Sequence, residues 1–351
     1  MDRLYAGILA AGLGTRMRSN WPKVLHHLGG RPMLAYAVDA VTALAPAEVV
    51  VVIGHGGERV RALLGNKVRY AVQAEQLGTG HALGVAVSAI DAAEGDLLVT
   101  YGDMPLLTAD TLRRLLDHHR ATGSDATLIT AMLGENSRYG RIIRDQAGRF
   151  LKIVEYRDAT SAERQIPEVN VGVYCFRLQP LRAALPKLGR SNAQGEYYLT
   201  DLFALLSADG SRVEAIAGER PSEFEGPNDR LELAAAEARL REAVNRRWLE
   251  QGVTMIDPAA TYIEPGVTIG RDTIIYPGTV IRGRAEIGAE CRLGPNAEIR
   301  DARLGRGVKV AHAVIVESEV AANEEVGPFV YLMRGIAYSG RVPAVSGPRK
   351  S

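Results

Sequence analysis

Residues 261–300 read TYIEPGVTIGRDTIIYPGTVIRGRAEIGAECRLGPNAEIR, and an aliphatic residue recurs in this stretch at every sixth position. The recurring residues are Ile263, Ile269, Ile275, Ile281, Ile287, Leu293 and Ile299. After one deletion the pattern resumes at Leu304, Val310 and Val316. A six-residue repeat places one short strand on each face of a triangular prism, with the aliphatic side chains pointing inward. The stretch therefore predicts a short parallel β-helix of hexapeptide repeats over 252–330, with roughly four turns.

The segments on either side of this repeat follow other patterns. Residues 229–251 are long, charged and helical in pattern, and we expect a linker helix between two domains there. Beyond Val330 the six-residue period is lost, and residues 331–351 contain two prolines, three glycines and a basic end. We therefore expect 331–351 to be a loose tail.

The N-terminal part of the chain alternates between apolar runs and helical patterns. Strands are expected at 5–10, 48–53, 68–73 and 96–101, and their unbroken apolar character indicates a parallel sheet buried on both faces. Helices are expected from Pro32 onward and over 57–64, 80–90 and 108–120. This alternation predicts an α/β domain over 1–228 with a doubly wound, Rossmann-like sheet that binds ligands at the carboxyl ends of its strands. Residues 125–225 are less regular, and we expect an insertion that caps the sheet and builds a substrate wall.

The composition does not favour nucleic acid or a membrane as a partner. The 42 basic and 41 acidic residues leave a formal net charge of +1, which gives no electrostatic reason to expect nucleic acid or an anionic membrane. The apolar run at 4–11 is too short to span a membrane, and Asp2 does not suit a signal peptide, so we expect no membrane insertion. The two cysteines, Cys175 and Cys291, form no CxxC pair, which fits a reducing, cytoplasmic location.

The strongest local motif is the sequence LAAGLGTRM at residues 9–17, followed by Pro22 and Lys23. A strand runs into two glycines, whose backbone N–H groups can approach phosphate oxygens closely. Arg16 and Lys23 could then neutralise the charge of a triphosphate and the charge that develops at its α-phosphorus. A tight turn with two surface cations explains the same residues without a ligand. The motif is neither a Walker loop nor a complete GxGxxG.

Asp103 follows an apolar strand at its carboxyl end, where open α/β sheets commonly place a metal carboxylate. Mg²⁺ takes hard oxygen ligands, so one carboxylate and one amide oxygen are enough when phosphates supply the rest. A turn or helix-cap role explains Asp103 equally well, and Asn228 lies in a good turn and helix-start sequence.

These residues also carry a family resemblance. The motif at 9–17 with PKVL at 22–25, QAEQLGTGHA at 73–82 and YGDMPL at 101–106 resembles the signature of sugar-nucleotide pyrophosphorylases. YGRI at 139–142, IVE at 153–155, EVNVG at 168–172, QGEYYLTD at 194–201 and EGPNDR at 225–230 extend the match. Over about residues 4–330 the chain resembles the uridylyltransferase half of the bifunctional N-acetylglucosamine-1-phosphate uridylyltransferase / glucosamine-1-phosphate acetyltransferase family.

The resemblance implies a function and a role for each matching residue. The expected reaction joins UTP and N-acetylglucosamine-1-phosphate into UDP-N-acetylglucosamine, a cell-wall precursor, and the expected cofactor is Mg²⁺. The implied catalytic residues are Arg16 and Lys23, and the implied metal ligands are Asp103 and Asn228. The implied nucleotide site is Ala11, Gly12, Gly14, Gln73, Gly78 and Thr79, with the backbone of Ala11 and Gly12, and Gln73 and Gly78, reading uracil. The implied sugar site is Tyr101, Gly140, Glu155 and Asn170.

The family also implies a left-handed β-helix that associates as a homotrimer, although a shortened helix offers less interface. The family's β-helix continues for about another hundred residues, which carry the acetyl-CoA site and a catalytic histidine. No residue here matches that histidine, because His312 lies in a different context, so we expect acetyltransferase activity to be absent. A smaller departure is Trp21 before Pro22, where the family usually has a smaller residue.

Two other interpretations remain open at this point. The first keeps the reaction but changes the ligands to another sugar-1-phosphate or another nucleoside triphosphate. The second is a catalytically silent regulatory subunit, since a fold does not fix a function. Such subunits usually lose the arginine, lysine or metal residues, and all of these are present.

Overall fold

The structure is a computed structural model that describes residues 3–133 and 137–339. The described residues form two compact units. The first comprises the residues up to His27 and those from Arg31 to Leu233, and the second comprises Leu28–Gly30 and the residues from Ala234 onward. The division falls within a helix at Arg230–Glu250, in the segment predicted as a linker.

The first unit is built on one large sheet. Its strands are β1 (Leu4–Leu9), β2 (Glu48–Ile53), β3 (Arg69–Val72), β4 (Asp96–Tyr101), β5 (Ala126–Met132), β6 (Arg141–Arg144), β7 (Phe150–Val154), β8 (Glu168–Arg177) and β9 (Val213–Ala217). The main order is β9-β5-β8-β4-β1-β2-β3, and β6 pairs with both β8 and β7. Strands β4, β1, β2 and β3 are parallel, as predicted, whereas β8 is antiparallel to both β4 and β5.

The α-helices are α1 (Met33–Thr42), α2 (Gly57–Leu64), α3 (Thr79–Ser88), α4 (Ala109–Thr122), α5 (Leu178–Ala184), α6 (Asp201–Ala208) and α7 (Arg230–Glu250). Short 3₁₀ helices occur at Thr15–Met17, Lys23–Leu25, Glu163–Gln165, Leu185–Lys187 and Pro221–Phe224, and two-residue strands at His27–Leu28 and Arg31–Pro32. Alternate residues of β1 enter two different cores, because successive side chains of a strand point to opposite faces. Ile8 belongs to a core that includes residues of α1 and α4, and Leu9 belongs to a core that includes residues of α3, α5 and α6. The sheet is therefore covered on both faces, as the doubly wound prediction requires.

The segment 125–225 is more central than the sequence suggested. We expected it to cap the sheet, but β5 and β8 are strands of the sheet itself, and eight of the ten residues of β8 are buried. The register of β8 against β5 shifts between Asn170 and Tyr174, and Gly172 there has φ 84°. This irregularity divides one long strand into two short apolar runs, which explains why the sequence looked irregular.

Two hydrogen bonds extend the parallel sheet beyond the end of β1. The N–H of Ala10 donates to the Val52 carbonyl at 2.9 Å, and the N–H of Gly102 donates to the Leu9 carbonyl at 2.9 Å. The loops after β1 and β4 therefore leave the sheet side by side at its carboxyl edge. Arg16 and Lys23 lie on the first of these loops, and Asp103 lies on the second.

The second unit contains a parallel β-helix made of three sheets. The first sheet contains Thr254–Met255, Ile274–Ile275, Arg292–Leu293, Lys309–Val310 and Glu325–Val326. The second sheet contains Tyr262–Ile263, Val280–Arg282, Glu298–Arg300, Val314–Val316, Val330–Met333 and Ile336–Ser339. The third sheet contains Thr268–Ile269, Glu286–Ile287, Arg303–Leu304 and Glu319–Val320.

The predicted inward positions are confirmed with one exception. The seven aliphatic residues from Ile263 to Ile299 are all buried, as are Leu304 and Val310. The strand register stacks Ile315, not Val316, on Ile299, and Ile315 is fully buried. The prediction at Val316 is therefore wrong by one residue, because the corner at 311–313 is one residue shorter than the corresponding corner at 294–297.

One corner of the β-helix is built on glycine. Gly270, Gly288 and Gly305 each begin the corner that leads from the third sheet to the first. A Cβ atom at Gly270 would lie 2.4 Å from the Ala289 nitrogen, and one at Gly288 would lie 2.6 Å from the Gly305 carbonyl carbon. Successive turns pass too closely here to admit a side chain.

The prediction of a loose tail from residue 331 is wrong for Tyr331–Ser339. Val330–Met333 pairs in parallel with Val314–Val316, and Ile336–Ser339 folds back antiparallel to it. Arg334 and Gly335 connect these strands with φ values of 51° and 77°, the pattern of a two-residue type I′ hairpin turn. Such turns usually contain Asn or Asp at the position that Arg334 occupies, so the sequence signal is weak. Residues 340–351 lie outside the described residues.

Candidate functional site

The loop after β1 owes its shape to glycine. Gly12 has no other atom within 4 Å of the place that a Cβ atom would take, so the backbone there borders open space. Gly14 has φ 59°, and a Cβ atom on it would lie 2.6 Å from the Cβ atom of Lys23. The absent side chain at Gly14 therefore allows Lys23 to lie against the loop.

The predicted catalytic and metal residues come together in one cluster. The Lys23 Nζ atom donates to Asp103 Oδ2 at 2.5 Å and to Asn228 Oδ1 at 2.8 Å. Arg16 Nη2 donates to the same Asn228 oxygen at 3.1 Å. The side chains of Lys23 and Asp103 are 13% and 23% exposed, so the ion pair is largely shielded but open to solvent on one side. Side chains from three separate segments of the chain, the loop that carries Arg16 and Lys23, the loop of Asp103 and the segment of Asn228, thus form one polar centre at the carboxyl edge of the sheet.

This cluster has the donor set of a site for a hard cation. Asp103 Oδ2 and Asn228 Oδ1 both contact one ammonium nitrogen, so a carboxylate oxygen and an amide oxygen converge on a single positive charge. Such oxygens suit Mg²⁺ when a phosphate and water supply its remaining ligands. Within 3–133 and 137–339, no group of three or more His, Cys, Asp or Glu side chains is arranged to hold a metal ion. A metal at this centre would therefore take most of its ligands from a bound phosphate and from water.

The segment that carries Asn228 is held against Asp103. A Cβ atom on Gly226 would lie 2.8 Å from the Asp103 carbonyl oxygen, so only glycine permits this approach. Glu232, in the first turn of α7, accepts from the Asn228 backbone N–H at 2.7 Å and from Asn228 Nδ2 at 3.1 Å. Sequence reasoning missed Glu232. The pattern D-x-x-E at 229–232, which is typical of a helix start, was the available signal.

The predicted nucleotide residues 73, 78 and 79 lie on the loop after β3 and at the start of α3. Gln73 is 4% exposed, and its Nε2 lies 3.1 Å from both the Gly78 carbonyl and the His81 Nδ1. Gly78 has φ 109°, and a Cβ atom there would lie 2.5 Å from the Tyr197 carbonyl oxygen. The Thr79 hydroxyl accepts from the Leu199 N–H at 3.1 Å. These residues have clear structural contacts, and their role in reading a base stays a prediction.

Two of the predicted sugar residues, Tyr101 and Asn170, pack around Gly172 in β8. A Cβ atom on Gly172 would lie 2.6 Å from Tyr101 Cε2, so the ring of Tyr101 lies directly against the strand. Asn170 donates from Nδ2 to Tyr174 Oη at 2.8 Å and accepts at Oδ1 from the Gly172 N–H at 3.2 Å. Burial, and then the negative charges of Glu155 and Asp103, raise the pKa of the Tyr101 hydroxyl. Tyr101 is therefore a neutral hydroxyl at physiological pH.

Glu155 and Gly140 form the other side of this region. The Thr200 hydroxyl donates to Glu155 Oε1 at 2.8 Å. Burial raises the pKa of the Glu155 carboxyl, and the like charges of Asp201 and Asp158 add to this effect. A Cβ atom on Gly140 would lie 3.0 Å from Ile153 Cγ2 and 3.5 Å from Glu155 Oε2, so Gly140 lies close to the carboxylate, and the tight contact there is with Ile153.

Two supporting residues here escaped sequence reasoning, Thr200 and Arg141. The Arg141 side chain is fully buried, and its guanidinium donates to the carbonyls of Tyr139 at 2.6 Å and Ser137 at 2.8 Å. It therefore fixes the backbone that leads to Gly140. Both residues lie inside motifs that the sequence singled out, but their contacts become visible only when the chain is folded.

Two family profiles match the chain, one in each unit. A profile described as "MobA-like NTP transferase domain" matches residues 6–191, and one described as "Bacterial transferase hexapeptide (six repeats)" matches residues 266–301. No helix in the described part of the chain combines the length and the apolar character that crossing a membrane requires.

The chain is also similar to curated proteins over most of its length. It is 47% identical over 332 residues to the bifunctional protein GlmU of Geobacillus sp. (strain WCH70), covering 95% of this chain and 72% of that protein. It is 44% identical to the bifunctional protein GlmU of Caldanaerobacter subterraneus subsp. tengcongensis, with the same two coverages. It is 46% identical to the bifunctional protein GlmU of Halalkalibacterium halodurans, covering 95% and 73%.

Proposed function

The chain belongs to the family of the bifunctional protein GlmU, and we propose that it transfers UMP from UTP to N-acetylglucosamine-1-phosphate, releasing pyrophosphate. It is a nucleotidyltransferase, and the predicted fold class and family are confirmed by the two profile matches and the extended identity. The interpretation as a silent subunit is not supported.

The observation that carries the proposal is the convergence of Arg16, Lys23, Asp103 and Asn228 at the carboxyl edge of the sheet. Lys23 bonds to the oxygens of both Asp103 and Asn228, and Arg16 bonds to that of Asn228. The loop that carries the two cations also contains the open backbone of Gly12. This combination suits a triphosphate, which needs cations for its oxygens and close backbone approach.

The reaction requires positioning and charge neutralisation more than proton transfer. A phosphate oxygen of N-acetylglucosamine-1-phosphate attacks the α-phosphorus of UTP, the bond from that phosphorus to the bridging oxygen of the β-phosphate breaks, and pyrophosphate leaves. The attacking oxygen is already ionised near neutral pH, so no base is needed. Arg16 and Lys23 would bind the triphosphate oxygens and stabilise the charge that grows as the bond breaks.

Asp103 and Asn228 would hold a Mg²⁺ ion at this centre, because their oxygens already converge on the Lys23 ammonium. When bound, the ion would supply Lewis-acid stabilisation of phosphate charge. Lys23 would then exchange its contacts with Asp103 and Asn228 for contacts with phosphate oxygens.

Selection of the N-acetyl sugar would rest on Tyr101, Gly140, Glu155 and Asn170. The ring of Tyr101 is fixed by packing against Gly172. Glu155 is held by a hydrogen bond from Thr200, and Asn170 is held by its hydrogen bond to Tyr174. A preorganised polar site of this kind rejects ligands that leave its groups unpaired.

The proposal is tested by measuring pyrophosphate release across a matrix of UTP, dTTP, ATP and GTP against N-acetylglucosamine-1-phosphate, glucosamine-1-phosphate and glucose-1-phosphate. The highest kcat/KM is expected for UTP with N-acetylglucosamine-1-phosphate. Asp103→Asn, prepared in the same way, controls for contaminating activity because it keeps the shape of the side chain and removes its charge. A higher kcat/KM for any other pair would overturn the assignment of substrates.

Three further features stay predictions: a homotrimer formed through the β-helix, a cytoplasmic location, and the absence of acetyltransferase activity from this 351-residue chain. The first is measured by light scattering of the purified chain. The third is measured by CoA release from acetyl-CoA and glucosamine-1-phosphate.

A further inference from the structure

We infer that Glu232 is a positioning residue that fixes the side-chain amide of Asn228 with its oxygen facing the cation site. The inference rests on the proposed function, because it assigns Asn228 to the metal. It concerns a residue on α7 that neither the motifs nor the comparisons single out.

The argument begins with the hydrogen bonds of Asn228. One carboxylate oxygen of Glu232 accepts from two donors of this residue, the backbone N–H at 2.7 Å and the Nδ2 amide at 3.1 Å. The opposite end of the same amide, Oδ1, accepts from Lys23 and Arg16. Each end of the amide therefore meets a partner of the correct polarity.

Rotation of the amide by 180° would reverse both sets of contacts. The Oδ1 oxygen would then face the Glu232 carboxylate, and the NH₂ group would face the Lys23 ammonium. Two acceptors would meet on one side and two sets of donors on the other. A metal ion that replaced the ammonium would still need the oxygen, since an amide nitrogen with two hydrogens offers no lone pair to a hard cation. Glu232 holds that oxygen in place whether or not the cation is present.

Glu232 also has a structural context, the start of α7. The Asp229 Oδ1 oxygen accepts from the N–H groups of Leu231 and Glu232, both at 2.9 Å, and so caps the helix. Loss of Glu232 would weaken this helix start as well as free Asn228. Asp229 is the matched control, because it caps the same turn through its bonds to the Leu231 and Glu232 N–H groups and not through the Asn228 amide.

The test measures how strongly Mg²⁺ tightens the binding of UTP. Titration calorimetry gives the Kd of UTP in EDTA and in excess Mg²⁺, in both cases without turnover. The ratio of the first Kd to the second measures how much the metal tightens UTP binding. The variants are Glu232→Ala, Glu232→Gln, Asp229→Ala, Asn228→Ala and the double variant Asn228→Ala/Glu232→Ala. Thermal unfolding of each variant reports the effect on helix α7 separately.

We expect Glu232→Ala to reduce the ratio about tenfold, a typical loss for a residue that orients a metal ligand. Glu232→Gln should keep most of the ratio, because its amide oxygen can accept from the same two donors. Asp229→Ala should lower the melting temperature and leave the ratio unchanged. In the Asn228→Ala background, Glu232→Ala should reduce the Kd ratio no further, since the two residues act on it through one contact.

Three results would overturn the inference. They are a wild-type ratio in Glu232→Ala, an equal loss in Glu232→Gln, which would point to charge alone, and additive losses in the double variant. A wild-type protein whose UTP affinity does not respond to Mg²⁺ would instead overturn the metal site of the proposed function. The failure of the inference and the failure of the function are therefore distinguishable.

Discussion

Replacement of Lys23 by alanine should separate metal binding from turnover. In the structure the Lys23 ammonium lies 2.5 Å from Asp103 Oδ2 and 2.8 Å from Asn228 Oδ1, at the place where the two proposed metal ligands converge. Under the proposed function, Lys23 would compete with the metal in the free protein and would bind phosphate in the substrate complex. Removal of the Lys23 side chain should therefore strengthen metal binding to the free protein and weaken the stabilisation of the transition state.

The expected magnitudes follow from the two roles. Loss of one contact to charge that grows in the transition state costs roughly 3–4 kcal/mol, so kcat should fall about 10²–10³-fold. The ion pair with Asp103 is partly exposed and is worth about 1 kcal/mol, so Mn²⁺ should bind to the free Lys23→Ala protein roughly fivefold more tightly.

The assays are steady-state pyrophosphate release and Mn²⁺ binding followed by electron paramagnetic resonance without nucleotide. Lys67→Ala, which changes an exposed lysine outside the site, is the matched control. It should leave kcat and the affinity for Mn²⁺ unchanged. A change confined to KM would mean that Lys23 contributes only ground-state binding. Weaker Mn²⁺ binding would show that the ammonium does not occupy the place of the cation, and either result refutes the reasoning.

Four further outcomes are expected. Asp103→Ala or excess EDTA should nearly abolish pyrophosphate release while circular dichroism shows an intact fold, and wild-type turnover in EDTA would exclude the metal mechanism. Wild-type protein should prefer N-acetylglucosamine-1-phosphate to glucose-1-phosphate by up to ~10⁴ in kcat/KM, and Asn170→Ala should shrink that preference; equal use of both sugars by the wild type would contradict the sugar site. Burial raises the pKa of Glu155 above its ordinary value of 4.5, so its stabilising contribution is full below that pH and is lost as pH rises through the folded value. Glu155→Gln should therefore have a higher melting temperature than wild type at pH 8 and lose that advantage near pH 4; an advantage independent of pH would count against the raised pKa. The 351-residue chain should release no CoA above background from acetyl-CoA and glucosamine-1-phosphate, and saturable release dependent on both would reveal an acetyl-transfer site within it.

Periodic burial made much of the fold predictable. The β-helix follows from aliphatic residues at a fixed spacing, and the parallel strands follow from unbroken apolar runs. The error at Val316 arose because a second shortened corner, 311–313, changes the spacing without changing the composition. The strand β8 was missed because Gly172 interrupts its register, and such an interruption resembles a loop in the sequence.

The site was predictable only where residues form local motifs. Arg16, Lys23 and Asp103 belong to short patterns with a chemical meaning, and the structure brings them together with Asn228. Thr200 and Arg141 act through contacts made across the fold, and a hydroxyl or guanidinium in a motif does not disclose its partner. Glu232 was readable as a helix-capping residue, but its second contact, with the Asn228 amide, depends on the path of the preceding turn.

The glycine corner of the β-helix bears on how this unit tolerates changes in length. The corner from the third sheet to the first always contains four residues, at 270–273, 288–291, 305–308 and 321–324. The corner from the second sheet to the third shortens from 283–285 to 301–302, and the corner from the first to the second shortens from 294–297 to 311–313. The number of residues per turn therefore varies at two corners of the triangle, whereas the third corner has the same length in all four turns. Peptide tags or grafted loops placed at the two variable corners should be accommodated, while the same insertions beside Gly288 would push adjacent coils apart.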